Sequence, residues 1–295
     1  MITQSGRSMR ELLDAGERSF SFEFMPPRDE AGEEQLWKAI RDLEPYQPTF
    51  VSVTYGAGGS SRGTTVRITG RIAQETSLLP VAHLTCVGHT REELSRILAE
   101  YDAVGVAHVM ALRGDPAAGP TAPWEPTPGG LTYADELVSL AADYGFRIGV
   151  AAFPDGHITS ESLDHDADVL AEKARRGAEF AVTQMFFSAQ SYFDLVRRVR
   201  DRGVDLPILP GIMPILNLGA IKRQSELIGA DVPAHVAQRI AAHDGDPVRM
   251  RAEGIAIATE LCEELLEGGA PGLHFYTLNR SKATLEIFEK LRITV

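Results

Sequence analysis

Cysteine is nearly missing from this chain. Cys86 and Cys262 are the only two among 295 residues; they stand in no metal-ligand spacing and are too few for a disulfide framework, so two buried, reduced thiols and no metal are expected. No apolar run is long enough to span a bilayer, and the polar stretch 1–20 lacks the core of a secretion signal, so the expected location is cytoplasmic, off the membrane. Positive charge is scarce and scattered: Lys and Arg number 29 against 41 Asp and Glu, for a net charge of −12. That balance excludes a broad surface for nucleic acid or anionic lipid, since both need clustered cations. Also absent is a Gly-rich phosphate turn after the first apolar run. Met25-Pro26-Pro27-Arg28 stands there instead, which argues against an open, doubly wound dinucleotide-binding sheet.

What is present is repetition. Short apolar runs recur at roughly thirty-residue intervals, and most end on a polar or charged side chain; they end at Glu23, Thr54, His83 to Thr85, Arg113-Gly114-Asp115, Phe153, Gln184, Met213 and Tyr276. Helix-length stretches lie between them, among them 33–43, 90–101, 133–144 and 166–177. Strand and helix in alternation make a parallel sheet with helical crossovers. Eight such units predict a single-domain α/β fold over 1–295, a (β/α)8 TIM barrel whose chemistry sits where the strands end. At 44% apolar and 24% charged, the chain can fill one such core without a linker. The Pro/Gly-rich segment 116–130 reads as a long loop over that face.

Several run-ends carry chemistry. Glu23 lies in an apolar strand, where poor solvation favours the protonated form and suits a general acid; a carboxylate paired with Arg28 or Arg113 is the alternative. Arg113-Gly114-Asp115 sets a fixed cation and a carboxylate around a residue that permits close approach, or is a plain turn with an ion pair. The stretch 54–61 offers hydroxyls and backbone N–H groups at the same rim. His83 and His157 can hydrogen-bond a ligand or be satisfied internally. The Gln184 amide both donates and accepts, which suits the edge of a pterin-like ring. The acidic stretch 164–168 reads as a helix N-terminal turn, not a metal site.

Taken together, SFEFMPPR, FVSVTYGAGGS, AHLTC, ALRGD, TYADELV, AAFPDGH, TQMFF, PGIMPI and LHFYTLNRS resemble the methylenetetrahydrofolate reductase family, in that order along nearly the whole chain. The resemblance implies a barrel that reduces 5,10-methylenetetrahydrofolate to 5-methyltetrahydrofolate with NADH or NADPH through bound FAD. It implies that Glu23 is the acid that protonates the folate nitrogen N10, and that Asp115 tunes the flavin and helps to hold the folate. Gln184, Tyr276 and Arg280 are implied to contact folate. Thr54, Tyr55, Ala57, His83, Arg113, Gly114, Asp115, Thr132, Tyr133, Ala134, Phe153, His157, Asp166 and Lys173 are implied to hold FAD or lie beside it.

The chain departs from the family pattern at Phe153, Val169 and Glu172, where Tyr, Asn and Arg are usual, all around the adenosine-diphosphate end of FAD. No aromatic residue stands between Gly211 and His274, so ligand stacking is expected from Trp124 or Phe186. Direct transfer of hydride from NAD(P)H to folate without tightly held flavin is therefore the alternative, and a folate-binding barrel without catalysis a second one. The helical exterior of a barrel is compatible with a homo-oligomer.

Overall fold

The computed structural model describes residues 9–13, 18–55, 62–116, 118–217, 219, 221–222, 225–226, 229 and 232–293. Its strands sort side chains by alternation. In β1 (Ser19–Phe24), Phe22 and Phe24 join the apolar layer shared with the helices, whereas Ser19, Ser21 and Glu23 take the other face, toward the barrel axis. The same period of two runs through β2 (Phe50–Val53), β3 (Pro80–Thr85), β4 (His108–Leu112), β5 (Arg147–Ala152) and β6 (Ala178–Thr183). All pairs are parallel, and the order is β7-β6-β5-β4-β3-β2-β1-β9-β8.

The seventh run, expected as one strand, is two: β7 (Ile208–Leu209) pairs with β6, and β8 (Gly211–Ile212) pairs with β9 (Gly272–Tyr276). Pro210 divides them because it has no N–H to donate to a ladder, yet its carbonyl still accepts from His274 N–H at 2.9 Å. The chain itself thus bridges the seam and completes the (β/α)8 barrel.

Helix starts follow their capping residues. Asp29 caps Glu30–Leu43 by accepting from Gly32 N–H, Thr90 and Glu93 form a reciprocal capping box on Arg91–Ala103, and Ser162 caps Leu163–Arg175. The acidic stretch 164–168 lies in the first turns of that last helix, as expected. A short helix, Met9–Leu13, forms where the sequence showed only polarity. Met9 and Leu13, four residues apart, seal the barrel floor against Phe50, Val81, Met110, Phe180 and Leu209. The opposite, carboxyl end is left for polar side chains. Among the described residues no helix is long and apolar enough to cross a membrane, and no group of three or more potential ligands could hold a metal ion.

Candidate active site at the carboxyl mouth

Glu23 sits on the last inward position of β1 with its side chain 16% exposed. Its backbone is pinned from the neighbouring strand: Thr277 donates to the Glu23 carbonyl through both its N–H, at 3.2 Å, and its hydroxyl, at 2.6 Å. The groups facing its carboxyl are neither Arg28 nor Arg113. They are His83 and His274, whose Nε2 atoms lie 3.4 and 3.6 Å from the same oxygen, Oε2. Register sets the stagger: His274 is level with Ser21 on β1, one inward position before Glu23, and Tyr276 is level with Glu23 itself, so His274 reaches the carboxyl diagonally along the inward face. Burial holds the His83 imidazole below its ordinary pKa despite the adjacent carboxyl, so it is neutral at pH 7 and the contact is no full ion pair.

Tyr276 turns its half-buried ring across the mouth, and its hydroxyl donates to the Thr183 carbonyl at 2.6 Å, next to Gln184. Burial raises that phenol well above its usual pKa. Gly211 makes this crossing possible: a Cβ there would stand 2.7 Å from the Tyr276 ring and 2.3 Å from the Thr183 oxygen. Gln184 uses Oε1 to accept from Met185 N–H at 2.9 Å, which fixes the amide and leaves its NH2 to be donated. On the far side of β9, Asn279 clasps Met25 by two hydrogen bonds, of 2.8 and 2.9 Å, locking the first and last rim loops together. Arg280, exposed, follows on that locked loop.

Across the mouth, the Arg113 guanidinium lies over the Trp124 ring at 4.7 Å and 4.0 Å from Asp115, which is more than half exposed. Trp124 therefore brings the described part of the long loop, 118–130, back onto the rim. Gly114 has φ +80°, and a Cβ would meet Val87 at 2.4 Å, so backbone conformation and space both require glycine. Behind Arg113 are His157, edge-on to Phe153 at 4.8 Å, and Asp166, which accepts from His157 N–H at 3.0 Å. Burial and the nearby cations Arg113 and Lys173 lower the His157 pKa. Thr132 and Tyr133 donate their N–H groups to Glu136, capping the helix Ala134–Asp143, and the Tyr133 carbonyl lies 3.5 Å from Cys86 Sγ, just past the end of β3.

Lys173 is buried, donates to the Ala151 carbonyl at 3.3 Å, and is pushed by burial down to about 8 from 10.5. Its folded-state value lies below the unfolded one, so between about pH 8 and 10.5 the unfolded chain binds more protons and stability rises with pH. From pH 7 to pH 10 the unfolding free energy of the wild type is expected to gain about 2–3 kcal/mol on that of Lys173→Met. Urea titrations of both proteins at the two pH values check this; an unchanged difference overturns it.

Other expected residues are placed differently. Tyr55 is buried in the outer layer with its hydroxyl 3.1 Å from His89 Nε2, so what it offers the mouth is backbone. Thr54 takes the inward alternate position. Ala57 lies outside the described residues. Phe186 is core, stacked on Tyr192 at 6.1 Å and 3% exposed, which leaves Trp124 as the aromatic of that pair at the rim. Glu172 is paired with Arg176 at 2.9 Å and with Arg175 at 3.8 Å, so its reversed charge is neutralised locally. Val169 is exposed. Sequence reading missed Ser21 and His274. Their signal was a polar residue two positions before Glu23 and before Tyr276, on the same inward face.

The barrel and the acid–imidazole cluster at its carboxyl end define the class: a (β/α)8 barrel enzyme with a carboxyl group enclosed among strand ends. The family model for methylenetetrahydrofolate reductase matches residues 8–292. The chain is 37% identical over 290 residues to 5,10-methylenetetrahydrofolate reductase of Pectobacterium carotovorum subsp. carotovorum, covering 97% of this chain and 94% of that one. It is 36% identical to the enzyme of the same name from Escherichia coli K12, covering 94% and 92%. It belongs to the methylenetetrahydrofolate reductase family and is an enzyme of folate one-carbon reduction. Among solved structures, an uncharacterized protein from Clostridium thermocellum that binds two copies of 5-methyl-5,6,7,8-tetrahydrofolic acid shares the fold, with a TM-score of 0.68 at 12% identity over 98% of this chain and all of that one.

Proposed function

We propose that this chain reduces 5,10-methylenetetrahydrofolate to 5-methyltetrahydrofolate with NADH or NADPH as donor and FAD as carrier, Glu23 acting as the general acid. The observation that carries the reading is Glu23 itself: a carboxyl at the end of β1, largely enclosed, faced by imidazoles instead of guanidinium groups. From that position the carboxyl can pass a proton to a basic nitrogen brought to the barrel mouth. Protonation of the folate N10 by Glu23 breaks the C–N bond of the five-membered ring and leaves an electrophilic carbon for hydride.

The flavin-side residues fit an anionic dinucleotide. Arg113, His157 and the buried Lys173 gather on one side of the mouth closely enough that each cation lowers the imidazole's pKa, and such a group of cations suits a diphosphate. The helix start at Thr132 to Ala134 and the hydroxyl of Thr54 line the same rim. FAD, when bound, supplies hydride transfer between NAD(P)H and the folate. Arg113, Thr132, Tyr133, Ala134, His157, Asp166 and Lys173 would hold it, with Gly114 giving backbone access, Phe153 a ring where the family has a phenol, and Thr54, His83 and the backbone of Tyr55 beside them. Asp115 stands at the junction between that side and the folate side. Gln184, Tyr276 and Arg280 orient the pterin and its tail, Gln184 through the amide NH2 that its own backbone contact leaves over.

The purified protein with added FAD is expected to show a bound-flavin visible spectrum that bleaches with NADH and recovers with methylenetetrahydrofolate. Turnover by a colourless protein, through a ternary complex and unchanged by FAD, overturns the flavin part of the reading. Failure to reduce the folate under either condition overturns the whole.

A further inference from the structure

The imidazole of His274 is fully enclosed beside the reaction centre. It is 0% exposed, and its ring is held by stacking on Phe50 at 5.6 Å and by edge contact with Tyr276 at 5.5 Å. Its Nδ1 lies 2.8 Å from the Ser21 hydroxyl. Its Nε2 is buried with no hydrogen-bond partner among the described residues and points toward Glu23 Oε2, 3.6 Å away. His83 Nε2, likewise buried and unpartnered, meets the same oxygen at 3.4 Å. Two orphaned ring nitrogens aimed at one carboxyl oxygen are costly unless something closes the gap. Hydrogen bonds of this kind are often long in the free enzyme and tighten when substrate binds.

We propose that His274, keyed by Ser21, is a positioning residue that holds Oε2 of Glu23 and thereby presents the other oxygen, Oε1, as the proton donor. The inference rests on the reading of Glu23 as the acid. Ser21 Oγ is 2.8 Å from Nδ1 and 3.5 Å from the Leu273 carbonyl, and on this proposal its hydrogen is assigned to the shorter contact. With Nδ1 accepting, the single proton of the neutral ring sits on Nε2 and points at Oε2. In the neutral acid, Oε2 is the carbonyl oxygen that accepts, and the transferable hydrogen is on Oε1. As the Oε1–H bond breaks and the folate N–H bond forms, the electron pair stays on the carboxylate and is shared with Oε2. There the imidazole N–H is worth more than it was to the neutral acid, which is the condition for an interaction to lower a barrier. A proton from solvent restores the acid after product leaves. The titratable groups facing this centre are His83 from β3, Tyr276 from β9 and Glu23 itself.

The test is steady-state folate reduction with NADH over about pH 5.5 to 9 for the wild type, Ser21→Ala, His274→Ala, His274→Gln and Glu23→Gln, with circular dichroism as the folding check. Ser21→Ala is expected to lower kcat roughly tenfold with little change in KM, and His274→Ala about a hundredfold. Loss of a donor to the carboxylate also moves the limb on which activity falls with rising pH to higher pH. His274→Gln, whose amide N–H can reach Oε2, is expected to recover most of the loss, which a role in packing alone does not predict. Should His274→Ala fail to fold, Ser21→Ala decides. If Glu23→Gln is inactive while folded Ser21→Ala keeps the wild-type kcat and pH limb, the clamp is wrong and the acid stands. If Glu23→Gln is fully active, the acid reading itself has failed.

Discussion

Glu23→Gln is expected to lower kcat for methylenetetrahydrofolate reduction by about 10²–10⁴-fold while folate affinity stays within about twofold, the range set by a positioned general acid. The substitution keeps volume and an amide that can meet the imidazoles of His83 and His274, but it has no acidic proton. Both neighbours are fixed by structure that does not depend on the carboxyl: His274 by Ser21 and Phe50, His83 by its place in the centre of β3. The mouth should therefore keep its shape, and a folate-binding titration separates binding from turnover. Full retention of kcat sinks the assignment of Glu23. Loss of binding together with kcat makes the residue a structural support and not an acid.

Phe288→Ala is expected to destabilise the fold by about 3–5 kcal/mol, the cost of a large buried ring replaced by a cavity, and to lower Tm by roughly 10 °C. The ring is fully buried and packs against Phe20 at 5.1 Å, Phe22 at 5.8 Å, Tyr46 at 5.1 Å and Phe275 at 5.3 Å. It thus fastens the last helix, Lys282–Lys290, to β1 and β9, the two strands that carry Glu23 and Tyr276. Thermal melting and urea titration measure the loss; a fall below 1 kcal/mol would mean that the site collapses around the missing ring. Activity of the folded fraction should fall less than in Glu23→Gln, because the substitution touches the outer layer and leaves the inward face intact.

Much of the barrel was legible because strand alternation and helix capping are local. SFSFEF states its two faces within six residues, and Thr90 with Glu93 states a helix start within four. The break in the seventh strand was present as Pro210 but needed the two neighbouring strands to show which ladder each half joins. The floor helix Met9–Leu13 was hidden because two apolar residues in a polar stretch have no periodic signal until a barrel interior is there to receive them. At the site, Glu23, Gln184, Tyr276 and the Arg113 turn stood out as run-ends. The guanidinium groups considered as partners for Glu23 were nearer in kind but not in space. Phe186 read as a ring at the rim because its direction is set by its packing on Tyr192, which sequence spacing does not reveal.

By itself the sequence determined the repeated strand–helix unit, the inward or outward sense of most strand residues, the family and the carboxyl residue at the end of the first strand. These follow from hydrophobic period and residue type, which act over a few positions. Only the tertiary structure decided that the acid is met by His83 and His274, that Ser21 reaches a ring 253 positions away, and that Asn279 locks the first rim loop to the last. Those relations arise from closure of the barrel, which brings chain ends side by side and is fixed by strand register that no local pattern encodes.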